Sequence, residues 1–133
     1  MALQSCGRRD EAVEIKGKVQ RGRYFHHERR LLYRPEHSLV LLDRISARPW
    51  DAPVSYLHLA HDLDAAIEED GVHVFAGGSI VARVRSDPIC RPRLVKGEEH
   101  PLVQGWISES YRTKQPAWVL EFRHPRGRKT FIT

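Results

Sequence analysis

Cysteine is scarce in this chain. Cys6 and Cys90 are the two thiols among 133 residues, too few for a disulfide framework and too far apart for a zinc knuckle, so both are expected to be free. The first fifteen residues lack the apolar core of a signal peptide, and no later run has the length of a transmembrane helix. As written, the chain is expected to be soluble and unexported, with no membrane span. No stretch carries the three-to-four-residue apolar spacing of a convincing helix. A phosphate loop, a nucleophile elbow and a zinc-protease signature are all missing, and with them go the commonest nucleotide-dependent, acyl-transfer and metalloprotease chemistries. No catalytic residue, no cofactor and no metal are expected. The RNP pattern of an RNA-recognition module and a recognition helix are also absent, so a nucleic-acid partner is disfavoured, with Tyr24, Arg30 and Arg34 its crude best case.

Acidic residues are the minority charge. Lys and Arg number 22 against 17 Asp and Glu, giving +5, and eight His can add charge in mild acid. Such a surface attracts nucleic acid, acidic polysaccharide or anionic lipid alike, so charge alone does not choose. Hydrophobic residues make up 41% and charged residues 29%, which fits a folded chain. Residues 1–10 read as a flexible N-terminus and 11–133 as a single domain.

What is present is strand pattern. The densest basic cluster joins the most apolar run between Arg23 and Ile45, and both arms read as a β-hairpin around Pro35. The run Leu39 to Leu42 is apolar on both faces, which places the hairpin inside a sheet. Charge sets its register. A two-residue loop would bring Glu28 opposite Asp43, two like charges in contact. A three-residue loop, Pro35 to His37, sets Arg29 opposite Asp43 instead. Leu31, Tyr33, Leu39, Leu41 and Ile45 then share that face, while His26, Arg30 and Arg34 share the other. Arg29 and Asp43 read as a structural ion pair at a core margin, with a direct ligand role the alternative.

Elsewhere, Glu11 to Gln20 alternates with Val13, Ile15 and Val19 on one side. A connection bounded by Pro49 and Pro53 leads to a strand from Val54 to Ala60. Asp70-Gly71 signals a type I′ hairpin, and Ile80 to Val84 completes a meander. Ser86 to Pro101 reads as a long irregular excursion. Ala117 to Phe122 alternates Trp118 and Leu120 against Val119 and Glu121, and a turn at His124-Pro125-Arg126-Gly127 leads to a last strand, Lys129 to Ile132. Many short strands at this spacing point to an all-β, antiparallel sandwich or barrel. The histidines make poor catalysts on this reading: His26 and His27 point to opposite faces, as do His58 and His61, and no carboxylate at close spacing orients any of them.

Two stretches resemble the carboxy-terminal β-sandwich region of heparinase II/III-like polysaccharide lyases. The first is His27-Glu28-Arg29-Arg30-Leu31-Leu32 followed by Leu39-Val40-Leu41-Leu42-Asp43-Arg44, with Leu57-His58-Leu59-Ala60 after it. The second runs from Gln104-Gly105-Trp106-Ile107-Ser108 through Tyr111, Lys114 and Pro116 to Leu120. Glu109 stands where that family often has proline, and Arg112 where it often has glycine.

The resemblance implies an antiparallel β-sandwich without the α/α toroid that carries most of the lyase machinery. Such lyases cleave uronate-containing polysaccharide by β-elimination, which needs the carboxylate neutralised, the C5 proton removed and O4 protonated. The motifs for that work are not found here, so the chain by itself is expected to be inactive: a scaffold or saccharide-contacting fragment, or else an independent carbohydrate-binding or protein-interaction module. His27, Arg30, Arg34, His58, Tyr111 and Lys114 are the candidate contacts. Against that, Tyr111 could be a buried corner residue tying a loop with its hydroxyl, and Lys114 could be merely solvated. The partners implied are acidic polysaccharide or oligosaccharide, a catalytic toroid domain, or a second copy meeting exposed sheet edges.

Overall fold

The structure is a computed structural model that describes residues 2–9, 12–48, 53–125 and 129–133. Among these every regular element is a strand. In chain order they are β1 (Ala2–Arg9), β2 (Ala12–Arg21), β3 (Phe25–Arg34), β4 (Ser38–Ser46), β5 (Val54–His58), β6 (Asp64–Glu68) and β7 (Gly71–Ala76). They continue with β8 (Ser79–Val84), β9 (Pro92–Lys96), β10 (Trp106–Ile107), β11 (Gln115–Pro116), β12 (Trp118–Arg123) and β13 (Lys129–Ile132). Every pairing is antiparallel. The fold class is all-β, the antiparallel sandwich class expected from the strand pattern.

The described chain divides into two compact units. The first contains residues 1–53, 86–90 and 124–133 and is built on one five-stranded sheet, β1-β2-β3-β4-β13. Its first strand, β1, pairs along β2. The β3–β4 register is the one that charge requires: Arg29 faces Asp43, Arg34 faces Ser38, and Pro35 to His37 form the loop. Alternation then sorts the sheet into two faces. Ile15, Leu31, Leu41, Ile45 and Ile132 line the covered face, with Leu41, Ile45 and Ile132 almost fully buried. The opposite face is charged. It carries Glu14, Lys16 and Lys18 from β2, Glu28, Arg30 and Arg34 from β3, and Arg44 from β4.

The second unit contains residues 54–85 and 91–123. Its centre is β12, flanked by β5 and β9. Val119, Leu120, Glu121 and Phe122 are all buried, so β12 has two covered faces in place of a covered and an exposed one. Its partner β9 lies inside the segment expected to be irregular. Prolines at 88, 92 and 101 obscured it, yet Pro92 opens the strand, where a missing N–H costs no ladder bond. The meander β6-β7-β8 is present, but its first turn is set one residue early. Glu68 pairs with Gly71, leaving Glu69 and Asp70 as the turn, and neither of these has positive φ. The type I′ pattern of two positive φ angles appears one hairpin later, at Gly77 (55°) and Gly78 (82°), where neither residue has a Cβ to oppose it. Pro49 to Ala52, and Arg126 to Arg128 of the last turn, lie outside the described residues.

Candidate functional site

The charged face of the first unit holds a groove of about 270 Å³. Its walls are Lys16 on β2, Glu28 and Arg30 on β3, and Leu42 and Arg44 on β4. The backbone of Gly17, Arg29 and Asp43 forms the floor, with the Arg29 and Asp43 side chains turned to the covered face. Cross-strand pairing explains the assembly: Lys16, Arg30 and Leu42 are consecutive partners across three strands, as are Lys18, Glu28 and Arg44. Leu42 is also opposite Phe131 of β13, which is 39% exposed. An apolar strip therefore runs beside the cations.

The charges in the groove are unequally engaged. Glu14 bonds the Arg30 guanidinium and lies 3.6 Å from Lys16 Nζ. Desolvation works to raise the Glu14 pKa, but the bonds and charges of Arg30 and Lys16 prevail and hold it below the ordinary carboxylate value. Glu28 lies 3.7 Å from Lys18 Nζ. Arg44 has no carboxylate within ion-pair distance among the described residues.

Beneath the floor, the covered face carries a polar cluster. Asp43, 2% exposed, accepts two bonds from Arg29, from Nε to Oδ1 and from Nη2 to Oδ2, each 2.7 Å. It accepts a third from His27 Nε2 at 2.8 Å. Burial alone would raise its pKa, but these bonds and the facing charges hold it well below the usual carboxylate range. The bidentate bond correspondingly raises the Arg29 pKa. Thr130 pairs with Asp43 in the β4–β13 ladder, and its Oγ1 is 2.6 Å from His124 Nδ1. Cys90 Sγ lies 3.9 Å from the same nitrogen. Burial pushes the His124 pKa down and the Cys90 thiol up, so at neutral pH both are neutral groups in a closed interior. The cluster satisfies its own polar atoms and is arranged for packing.

The six nominated contacts do not form one constellation within either unit. Arg30 and Arg34 share the charged face, while His27 points to the covered one. His58, Tyr111 and Lys114 belong to the second unit. His58 ends β5 and is exposed. Tyr111 is 87% exposed, which overturns the reading of a buried corner tyrosine. Lys114 is engaged on one side: its Nζ stands 3.8 Å over the Trp106 ring and 3.3 Å from Glu99 Oε1. Reading the sequence missed Lys16, Leu42, Arg44 and Phe131. Once the hairpin register is fixed, alternation puts Leu42 and Arg44 beside Arg30. Lys16 follows from the β2–β3 hairpin, whose three-residue loop opens on Gly22 (φ 60°), a signal not used in the sequence reading; Phe131 needs the β4–β13 pairing, for which no local signal exists.

Among solved structures, the chain is similar to a heparinase III gene product, with a TM-score of 0.64 and 11% sequence identity; the likeness covers 98% of this chain and 20% of that one. The chain carries a heparinase-like fold. It spans about a fifth of that protein's length. No protein-family model matches the sequence, and no curated protein does. The heparinase-like fold is thus carried by backbone topology at an identity where side-chain roles do not transfer.

Proposed function

We propose that this chain is a sandwich fragment akin to the carboxy-terminal region of heparinase II/III-like lyases, and that it binds acidic saccharide without cleaving it. The observation that carries the reading is the groove on the charged face. Lys16, Lys18, Arg30, Arg34 and Arg44 share that face with the carboxylates of Glu14 and Glu28. Phe131 and Leu42 add an apolar strip on which a sugar ring can lie. Its volume of about 270 Å³, just under the ~300 Å³ at which drug-sized pockets begin, suits one sugar unit of a longer chain. A catalytic toroid domain, or a second copy, is the partner this reading calls for, since the groove supplies contacts and no acid–base pair. The same binding would serve an independent carbohydrate-binding module.

The test is a two-dimensional amide titration with alginate, heparin and neutral oligosaccharides, with duplex DNA at matched salt as control. Saturable shifts confined to acidic sugars and centred on Lys16, Arg30 and Arg44 support the reading. The absence of saturable shifts with any sugar overturns it. Absorbance of the unsaturated uronate that β-elimination would leave should stay flat with the chain alone. A rise would overturn the non-cleaving half of the proposal.

A further inference from the structure

We infer that Arg44 is the anion anchor of the groove, with Glu14 acting as an internal competitor that holds Arg30 and Lys16 away from ligand. This deepens the saccharide reading and rests on it.

Three cations wall the groove, but they are not equivalent. Arg30 is bonded to Glu14, and Lys16 shares the same carboxylate at 3.6 Å. A ligand anion reaching for either must first displace Glu14, so much of what it gains it also gives up. Glu14 sits on β2, where its register partner is Leu32. From there it reaches over the strand to Arg30, and its lowered pKa keeps it charged across the neutral range. Arg44 stands differently. Its direct cross-strand partner is Glu28, yet the Glu28 carboxylate turns to Lys18. The Arg44 guanidinium is exposed, lines the groove and has no ion-pair partner among the described residues. An incoming anion can therefore bond it without displacing a carboxylate of the described residues. Guanidinium is also the side chain suited to a two-pronged bond with an oxyanion. Leu42, two residues before it on the same face, puts apolar surface next to that bond.

The ligand group this geometry recognises is a single carboxylate or sulfate on a sugar. Both present paired oxygens to a guanidinium, and experiment separates them. The probes are a uronate tetrasaccharide without sulfate, a sulfated galactan tetrasaccharide without carboxylate, and a neutral tetrasaccharide. Binding of the first alone assigns carboxylate, and of the second alone assigns sulfate. Arg44→Gln is expected to weaken binding by about tenfold, the usual cost of losing a charged hydrogen bond, and to weaken it more than Arg30→Gln does. Arg44→Lys should recover only part of the loss, since an ammonium keeps the charge but not the two-pronged bond, and Glu14→Gln should tighten binding several-fold by freeing Arg30 and Lys16. A loss in Arg44→Gln no greater than in Arg30→Gln, or no gain in Glu14→Gln, overturns the inference while leaving the saccharide reading standing. If the unaltered chain binds neither acidic probe, both fall. An unchanged amide spectrum in each variant shows that the loss is one of contact and not of fold.

Discussion

At the scale of single residues, Asp43 is the most consequential side chain in the first unit. It is almost fully buried and ionised, and it is held by three bonds from Arg29 and His27. Removing it takes three bonds from partly buried polar groups. Asp43→Ala is therefore expected to cost about 3 kcal/mol or more, read as a drop in the urea midpoint without a change in slope. The same cluster sets the acid side of stability. His124 has its pKa depressed below 6.5 by burial. As pH falls through that value, the unfolded chain takes up a proton that the folded chain refuses, and stability declines. A second decline follows below 3.8, where unfolded Asp43 protonates before the folded form does. The melting temperature should fall in two stages on acidification, and His124→Gln should flatten the upper stage. A flat profile down to pH 4 would contradict this. Arg112 offers the opposite sign. Its φ of 65° is one that L side chains resist and glycine accepts, and it stands where the resembling lyases often carry glycine. Arg112→Gly should stabilise the chain by roughly 0.5–1 kcal/mol.

At the scale of elements, the β3–β4 hairpin was legible because two local facts determine it. Its apolar run cannot sit at an edge, and of a two-residue and a three-residue loop only the three-residue one keeps Glu28 from facing Asp43. The β9 strand was harder to read. Proline and glycine dominate the residues around β9, and its strand character depends on pairing with β12, more than twenty residues on. Gly105 shows what that pairing demands. It has φ of 77°, and a Cβ there would lie 2.6 Å from the Gly97 nitrogen and 2.8 Å from Lys96 Cα. Its carbonyl accepts bonds from both Gly97 N and Ala117 N, tying the end of β9 to the start of β12. Gly105→Ala is expected to cost about 2 kcal/mol or more, through strain and a backbone clash together. Hydrogen exchange should show the loss first in the β9–β12 ladder; a loss confined to the Trp106 to Gln115 loop would contradict it.

At the scale of the whole molecule, the net charge of +5 becomes useful only when the sheet gathers Lys16, Lys18, Arg30, Arg34 and Arg44 on one face. If acidic saccharide binds there, affinity should fall steeply with salt, because the Debye length shrinks from about 10 Å at 0.1 M to about 3 Å at 1 M. Salt-independent binding would point away from the groove and towards apolar contact. Of the candidate contacts, Arg30 and Arg34 could be read together from alternation along one strand. His27 could be assigned to the opposite face by the same rule. The sequence by itself determined the all-β class, the central hairpin with its register, and the basic balance, since each follows from residue pattern within a few positions. Only the tertiary structure sets Phe131 beside Leu42 at the margin of the groove, and closes Cys90, His124 and Thr130 over Asp43. Those meetings depend on which distant strands pair, and strand pairing over long separations is fixed by burial of the whole sheet, not by any local signal.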